Sequence, residues 1–363
     1  MRAFTICLLG CVAHWSVAQE IPMFIGTYTH TGSKGVYLYM FDQDNGDAMM
    51  YSVTASEHPS FLARSADGNM LYAVNETGDS TASLSSFAFD GDALSFMDAI
   101  ATDGSYPCHV AVSKRHPIAA VSNYGGGSLS VYRTEENGAL AEKIQHIQQA
   151  GSSVNKERQN ASHVHSAFFS PDEKQVFVQN LGTDKVTIYR VDNKNDSYSL
   201  VEESEISTPG GGGPRHLVFD DKGENMYVLL ELTAKIAHYG KEGEQWNLLD
   251  TVSINEDGYA GADGAAEIKR SSDGRFIYAS NRGDANTIAL FAVDKSGKLE
   301  RKNVYSTGGE GPRNFNISPN GHFLLVANQG TNNITVFERN RETGELKDAE
   351  KPIEVSTPVC IVF

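Results

Sequence analysis

The sequence predicts an all-β, seven-bladed β-propeller with four-stranded blades. Three observations lead there. A unit of about fifty residues recurs along the chain, within the propeller range of repeat lengths. Each unit alternates β-branched and aromatic residues between Asn, Asp and Gly turns, the pattern of short strands. The two chain ends are complementary fragments of the same unit.

Each unit opens with a first strand: HPSFLARSADG from His58, YPCHVAVS from Tyr106, HVHSAFFSPD from His163, GPRHLVFDDKG from Gly213, AAEIKRSSDG from Ala265 and GPRNFNISPNG from Gly311. Second strands follow from Asn69, His116, Gln175, Asn225, Arg275 and His322, most of them ending in Asn before a Gly-rich loop. Third strands end in aromatic residues, as in SLSVYR from Ser128 and ITVFER from Ile334. That makes six units. The seventh is split: TPVCIVF from Thr357 reads as a first strand, and PMFIGTYTHTGSKGVYLYMFD from Pro22 as a second strand, its loop and a third. Pairing the last strand with the first segment closes the ring and removes the exposed edge. A linear solenoid would carry capping units instead of matching halves.

Charge excludes some partners. A formal net charge of −16 repels phosphate backbones and anionic lipid, so nucleic acid is not expected. No run after the first residues approaches membrane-spanning length. Met1-Arg2, an apolar run from Ala3 to Val12 and small residues up to Ala18 read as a secretory signal over residues 1–18, with residues 19–363 as one domain in the periplasm or outside the cell. Leu8-Leu9-Gly10-Cys11 resembles a lipobox, the alternative that would place a lipid anchor at Cys11. Beyond this leader remain Cys108 and Cys360, too few and too far apart for a disulfide framework or a zinc site.

Propeller geometry turns the repeat into a site prediction. First strands line the central channel, and second strands run antiparallel beside them. The start of one and the end of the other therefore open on one face. The first column reads Ser60, Cys108, His165, Arg215, Ala266, Arg313 and Val359, and the residue after it Phe61, His109, Ser166, His216, Glu267, Asn314 and Cys360. The second-strand column reads Thr27, Glu76, Tyr124, Leu181, Glu231, Arg282 and Gln329. A repeat serving structure alone has no need of arginines, glutamates and histidines at one rim. Together they offer fixed positive charge for an anionic ligand and groups for proton transfer.

SHVHSAFFSPD, GGGPRHLVF, the LLEL segment and SNRGDANTI resemble the propeller-type lactonase family, which includes bacterial 6-phosphogluconolactonases and is related to 3-carboxy-cis,cis-muconate lactonizing enzymes. The resemblance covers essentially all of residues 19–363. It implies a metal-independent lactone hydrolase without a cofactor, whose catalytic residues are His165, Arg215, Glu231 and Arg282, all in the columns above. Leu230 stands where many members of the family have Asn, which bears on how Glu231 is oriented. The expected ligand is a small lactone or sugar acid, anionic in character.

Lactone hydrolysis needs an activated water, a stabilised oxyanion and a proton for the leaving alkoxide. Glu231 or His165 is the expected base. Arg215 faces the oxyanion or a carboxylate, and Arg282 with Arg313 holds a distal anion such as phosphate. Glu76, Tyr124 and His216 complete the substrate-binding candidates, Tyr124 by stacking on a sugar ring. The structural alternatives are an Arg215–Glu231 rim pair and a packed channel histidine at His165. The functional alternatives are a lactonizing cycloisomerase, a lactonase for unphosphorylated lactones (a secretory leader conflicts with a phosphorylated metabolite), a calcium enzyme using Glu76 or Glu231 with Asn123 and Asn281, and a non-enzymatic binding propeller.

Overall fold

The computed structural model describes residues 20–363, so the expected leader over residues 1–18 and the lipobox at Cys11 lie outside the described residues. Seven antiparallel sheets follow one another around a ring. The second blade runs Pro59–Arg64, Met70–Asn75, Ser83–Phe89 and Leu94–Ala101 from the channel outward, and the other blades repeat this order. The first blade is completed from both ends: Pro358–Val362 is its innermost strand and pairs with Glu20–Thr27, joining Ile25 to Ile361 and Phe24 to Val362. The seventh carries Ile353–Glu354 as an extra pairing on its third strand.

Burial follows the position of each strand. The second strands Met70–Asn75, Ile118–Asn123, Phe276–Asn281 and Phe323–Asn328 are buried along their whole length, which is why they read as unbroken apolar runs. Outermost strands such as Ala48–Ala55 alternate toward solvent instead. The hydrophobic core is distributed rather than central. One apolar cluster fills each junction between neighbouring blades, including the junction of Phe323, Leu325 and Val336 with Met23, Ile25 and Phe41 that closes the ring.

Two local devices recur. In the Ser-x-Asp-Gly turns the serine hydroxyl donates to the aspartate and accepts the N–H that opens the second strand, as Ser65 does with Asp67 at 2.5 Å and Met70 at 3.0 Å. The other device shapes the channel. Every innermost strand breaks register one or two residues after it starts: at Cys108, His165, Arg215 and Arg313, and likewise at Ser60-Phe61, Ala266-Glu267 and Val359. A bulge leaves its extra residue unpaired and re-aims its side chain. Here it turns Cys108, His165 and Arg313 toward the channel mouth.

Candidate active site

One mouth of the channel holds a cavity of about 360 Å³ lined by Tyr28, Glu76, Tyr106, Cys108, Tyr124, Arg158, His165, Glu231, Arg282 and Arg313. That volume suits a single small molecule. A larger hollow of about 450 Å³ opens at the opposite end. Between them Phe61, His109, Phe168 and His216 stack as a plug of rings with centroids 4.3–5.8 Å apart. The carboxylate and amides of the far hollow are bonded internally: Glu173 to Ser113 and two backbone N–H groups, Asn316 to Ile361 O. The smaller cavity, which gathers the arginines, carboxylates and imidazole expected from the sequence, is the candidate site.

Glu231 is the hub of that cavity. It opens the 3-10 turn Glu231–Thr233, which Ala234 ends in the left-handed region. Its Oε1 accepts from Arg158 at 2.7 Å; its Oε2 accepts from Arg215 Nε at 3.1 Å and lies 3.0 Å from Arg282 Nη2. Burial opposes ionisation of this carboxyl, but the three guanidiniums overcome it and hold its pKa at about 2. Leu230 does not disturb the arrangement. It is fully buried in the junction with the fourth blade, while the Glu231 N–H is held by Gly213 O at 2.8 Å.

His165 Nε2 stands 4.0 Å from Glu231 Oε2. Burial first, then the charges of Arg215, Arg313 and Arg282, press its pKa well below 6.5, so the ring is neutral near neutrality. Cys108 donates its thiol to His165 O at 3.1 Å, and burial pushes that thiol up, leaving it unreactive. Arg313 lies over the Tyr28 ring and 3.8 Å from Glu76, whose carboxylate accepts from Tyr28 Oη at 2.7 Å. Tyr124 stacks on His163 at 4.5 Å and presents an edge to His165. Four guanidiniums thus face two carboxylates, a local positive excess inside a strongly acidic chain.

Of the residues expected from sequence, His165, Glu231, Arg282, Arg313, Glu76 and Tyr124 meet in the cavity. Two lie deeper. Arg215 is buried behind Glu231, donating Nε to it and Nη1 to Ala266 O, so its expected place on the oxyanion gives way to a clamp on the carboxylate. Its pKa falls to about 10, mainly through burial, and it stays charged. His216, expected to bind substrate, is instead in the plug below, with Nδ1 2.9 Å from Glu267 and Nε2 3.4 Å from Arg215 Nη1. Burial lowers its pKa to about 4. The Thr27 position also shifts by one: Thr27 pairs with Pro358 as Asn75 pairs with Pro59, so Tyr28 is the true counterpart of Glu76 and Tyr124. The calcium alternative lacks a donor set: neither Asn123 nor Asn281 lines the cavity, Asn281 Oδ1 already accepts from Gly264 N and Gly283 N, and Glu231 is surrounded by cations.

The sequence reading missed Tyr28, Tyr106 and Arg158. Tyr28 is hidden because no Asn marks that strand end, and Tyr106 because it precedes the Pro where the first column begins. Arg158 sits in a loop before the fourth blade, outside any repeated strand, so no column could find it.

Residues 22–363 match a family model described as a lactonase with a seven-bladed β-propeller. A 6-phosphogluconolactonase of Formosa agariphila is 35% identical over 345 residues, covering 92% of this chain and 97% of its own. The 6-phosphogluconolactonase of Bacillus subtilis is 31% identical over 346 residues, covering 94% and 97%. The crystal structure of a periplasmic gluconolactonase from Pseudomonas aeruginosa superposes with a TM-score of 0.89 at 33% identity, covering 94% of this chain and 98% of that one.

Proposed function

Since the chain belongs to the seven-bladed β-propeller lactonase family, we propose that it is a lactone hydrolase of the 6-phosphogluconolactonase type, working at the channel mouth. One observation carries the residue roles: a neutral His165 stands beside a carboxylate that three guanidiniums keep ionised. Both oxygens of that carboxylate are taken by guanidiniums, which leaves it a poor acceptor for a water proton, while His165 lines the cavity with its ring neutral. His165 is therefore the base and Glu231 its electrostatic partner. Water attacks the lactone carbonyl carbon while His165 takes its proton. Arg282, which lines the cavity, donates to the oxyanion. Glu231, 4.0 Å from Nε2, stabilises the imidazolium through its charge. Collapse of the tetrahedral adduct breaks the ring C–O bond, and the imidazolium returns its proton to the leaving alkoxide. The product hydroxy acid ionises and leaves as its carboxylate.

His165→Ala is expected to lower kcat about 10²–10⁴-fold, the usual worth of a general base. Glu231→Gln should cost about 10²-fold, and a chelator should cost nothing. Steady-state rates on 6-phosphogluconolactone and on glucono-δ-lactone test this; wild-type turnover in His165→Ala overturns the assignment.

A second reading concerns the substrate. The leader-like residues 1–18 and the similarity to a periplasmic gluconolactonase favour an exported enzyme acting on unphosphorylated sugar lactones. Arg313, with Glu76 and Tyr28 beside it, is the distal anion contact in the phosphorylated case. Arg313→Gln should then lower kcat/KM about tenfold or more for the phosphorylated lactone and under threefold for the neutral one. Equal losses on both would remove Arg313 from phosphate recognition.

A further inference from the structure

Asp184 lies outside the cavity, in the loop that follows the second strand of the fourth blade, and is buried. Its carboxylate accepts four hydrogen bonds, all from neutral donors. Oδ1 takes Gln159 Nε2 at 2.7 Å and Gly213 N at 2.7 Å; Oδ2 takes Ser153 Oγ at 2.5 Å and Gly211 N at 2.6 Å. These donors come from two different loops. Gln159 and Ser153 belong to the loop that carries Arg158. Gly211 and Gly213 belong to the loop that leads into Arg215, and Gly213 O also receives the Glu231 N–H at 2.8 Å.

The Arg158 loop is built around that anchor. Gln159 is fully buried; its N–H reaches Asn155 O at 2.7 Å, and its Oε1 accepts from Asn155 N at 3.1 Å. Asn155 Oδ1 in turn accepts from Arg158 N at 3.2 Å. The backbone beneath Arg158 is thereby fixed, while its guanidinium stays nearly half exposed, reaching Glu231 Oε1 at 2.7 Å and Tyr124 Oη at 3.2 Å. A short buried acceptor thus ties together the segments that deliver Arg158 and Arg215 to opposite oxygens of one carboxylate. Such preorganisation of a clamp is worth far more than its hydrogen bonds alone, because misplacement by about 1 Å costs about 10²-fold in rate.

We propose that Asp184 is a positioning residue that acts through Gln159 to hold Arg158 as a substrate-binding arginine. This rests on the reading of the mouth as a site for a lactone or its acid. Arg158 is the cation free to turn from Glu231 to the ligand, because it is the most exposed of the arginines on Glu231, its side chain 45% exposed against 23% for Arg282 and 3% for Arg215.

The test is a double-mutant cycle read by kinetics on the lactone and by gluconate binding. Arg158→Gln should raise KM about tenfold. Gln159→Met, which removes the bonds of that side chain to Asp184, Leu181 O and Asn155 N, should raise KM by a similar factor with kcat within about threefold. In the Arg158→Gln background, Gln159→Met should cost less than about twofold. Asp184→Asn should show the larger loss, about 10–100-fold in kcat/KM, with faster amide hydrogen exchange over 150–162 and 209–213 while the blade strands stay protected. Equal costs of Gln159→Met in both backgrounds, or an unchanged KM, overturn the proposal. If Asp184→Asn does not fold, the Gln159 cycle decides alone. If the wild type turns over no lactone, the functional reading fails, and gluconate affinity in the same four proteins still decides the role of Asp184.

Discussion

His165 stays neutral beside an ionised carboxylate because burial and three nearby guanidiniums outweigh the attraction of that single negative charge. His109 and His216, in the plug beneath it, are also held neutral by burial, with His216 at about 4. All three have folded-state values below the ordinary 6.5. Between those values the folded chain binds fewer protons than the unfolded one. The contribution of these rings to stability is therefore whole above pH 6.5 and is lost as pH falls toward 4. Thermal stability is thus expected to be level from pH 8 to 6.5 and to decline below it, whereas kcat/KM should hold further into acid, until pH nears the lowered value of folded His165 itself. A melting series and a pH–rate profile check this; an acid limb centred above pH 7 would mean that a different group is the base. His216 also shows how a column position can mislead. It follows Arg215 directly in the chain, yet the bulge turns Arg215 toward Glu231 and leaves His216 to face the channel interior.

At the scale of the strand, the recurring bulge explains why one repeat both builds the blade and supplies the chemistry. The repeat fixes pairing on either side, while the unpaired residue is free to be Cys, His or Arg. The residue before each starting Pro carries a second constraint. His58, Tyr106, Gly213, Gly311 and Thr357 all have positive φ there, a conformation that costs a side chain about 1–3 kcal/mol. Gly213 is the most demanding, since a Cβ there would lie 2.9 Å from Leu232 and 3.0 Å from Leu181. Gly213→Ala should destabilise by about 1–3 kcal/mol through strain and crowding and should also lower kcat, because Gly213 O holds the Glu231 N–H. Gly311→Ala, which meets only Gly330 N at 3.3 Å and Gln329 at 3.7 Å, should cost less and leave turnover nearly intact. Denaturant curves and steady-state rates on the two variants separate these effects. The same elements mark what the sequence could reveal. Seven cavity residues, Cys108 among them, were legible because strand pairing repeats, so a column of letters is a ring in space. Arg158 was not, because it sits on a loop shaped by the bond of Gln159 to Asp184 and by its own N–H to Asn155, which no periodicity encodes. The depth of Arg215 was not legible either, since a bulge sets direction and the neighbouring carboxylate decides where the long side chain ends.

For the whole molecule, the decisive feature is that no cluster of the core is private to one blade. Each blade shares its apolar faces with both neighbours, so losing a strand from a blade exposes the clusters on both of its sides. The one junction without covalent continuity inside its blade is the pairing of Pro358–Val362 with Glu20–Thr27. Val359, Cys360 and Ile361 of that strand are 1%, 1% and 2% exposed. Burying each such side chain contributes about 1.5–3 kcal/mol, so their sum is comparable with the roughly 5–15 kcal/mol that holds a whole domain folded. Cys360 also accepts Leu62 N at 3.3 Å, and Ile361 N donates to Asn314 Oδ1 at 2.9 Å, which links the strand to the second and seventh blades as well as the first. Deleting residues 357–363 should therefore abolish cooperative folding and with it the cavity, although none of the deleted residues lines the mouth. A circular permutant that places 357–363 ahead of Glu20 through a flexible linker makes the same pairing covalent and should melt at or above the temperature of the parent. If the truncated chain kept a sharp melting transition and bound gluconate normally, closure by the last strand would not be what stabilises the ring, and the six contiguous blades would have to be sufficient without it.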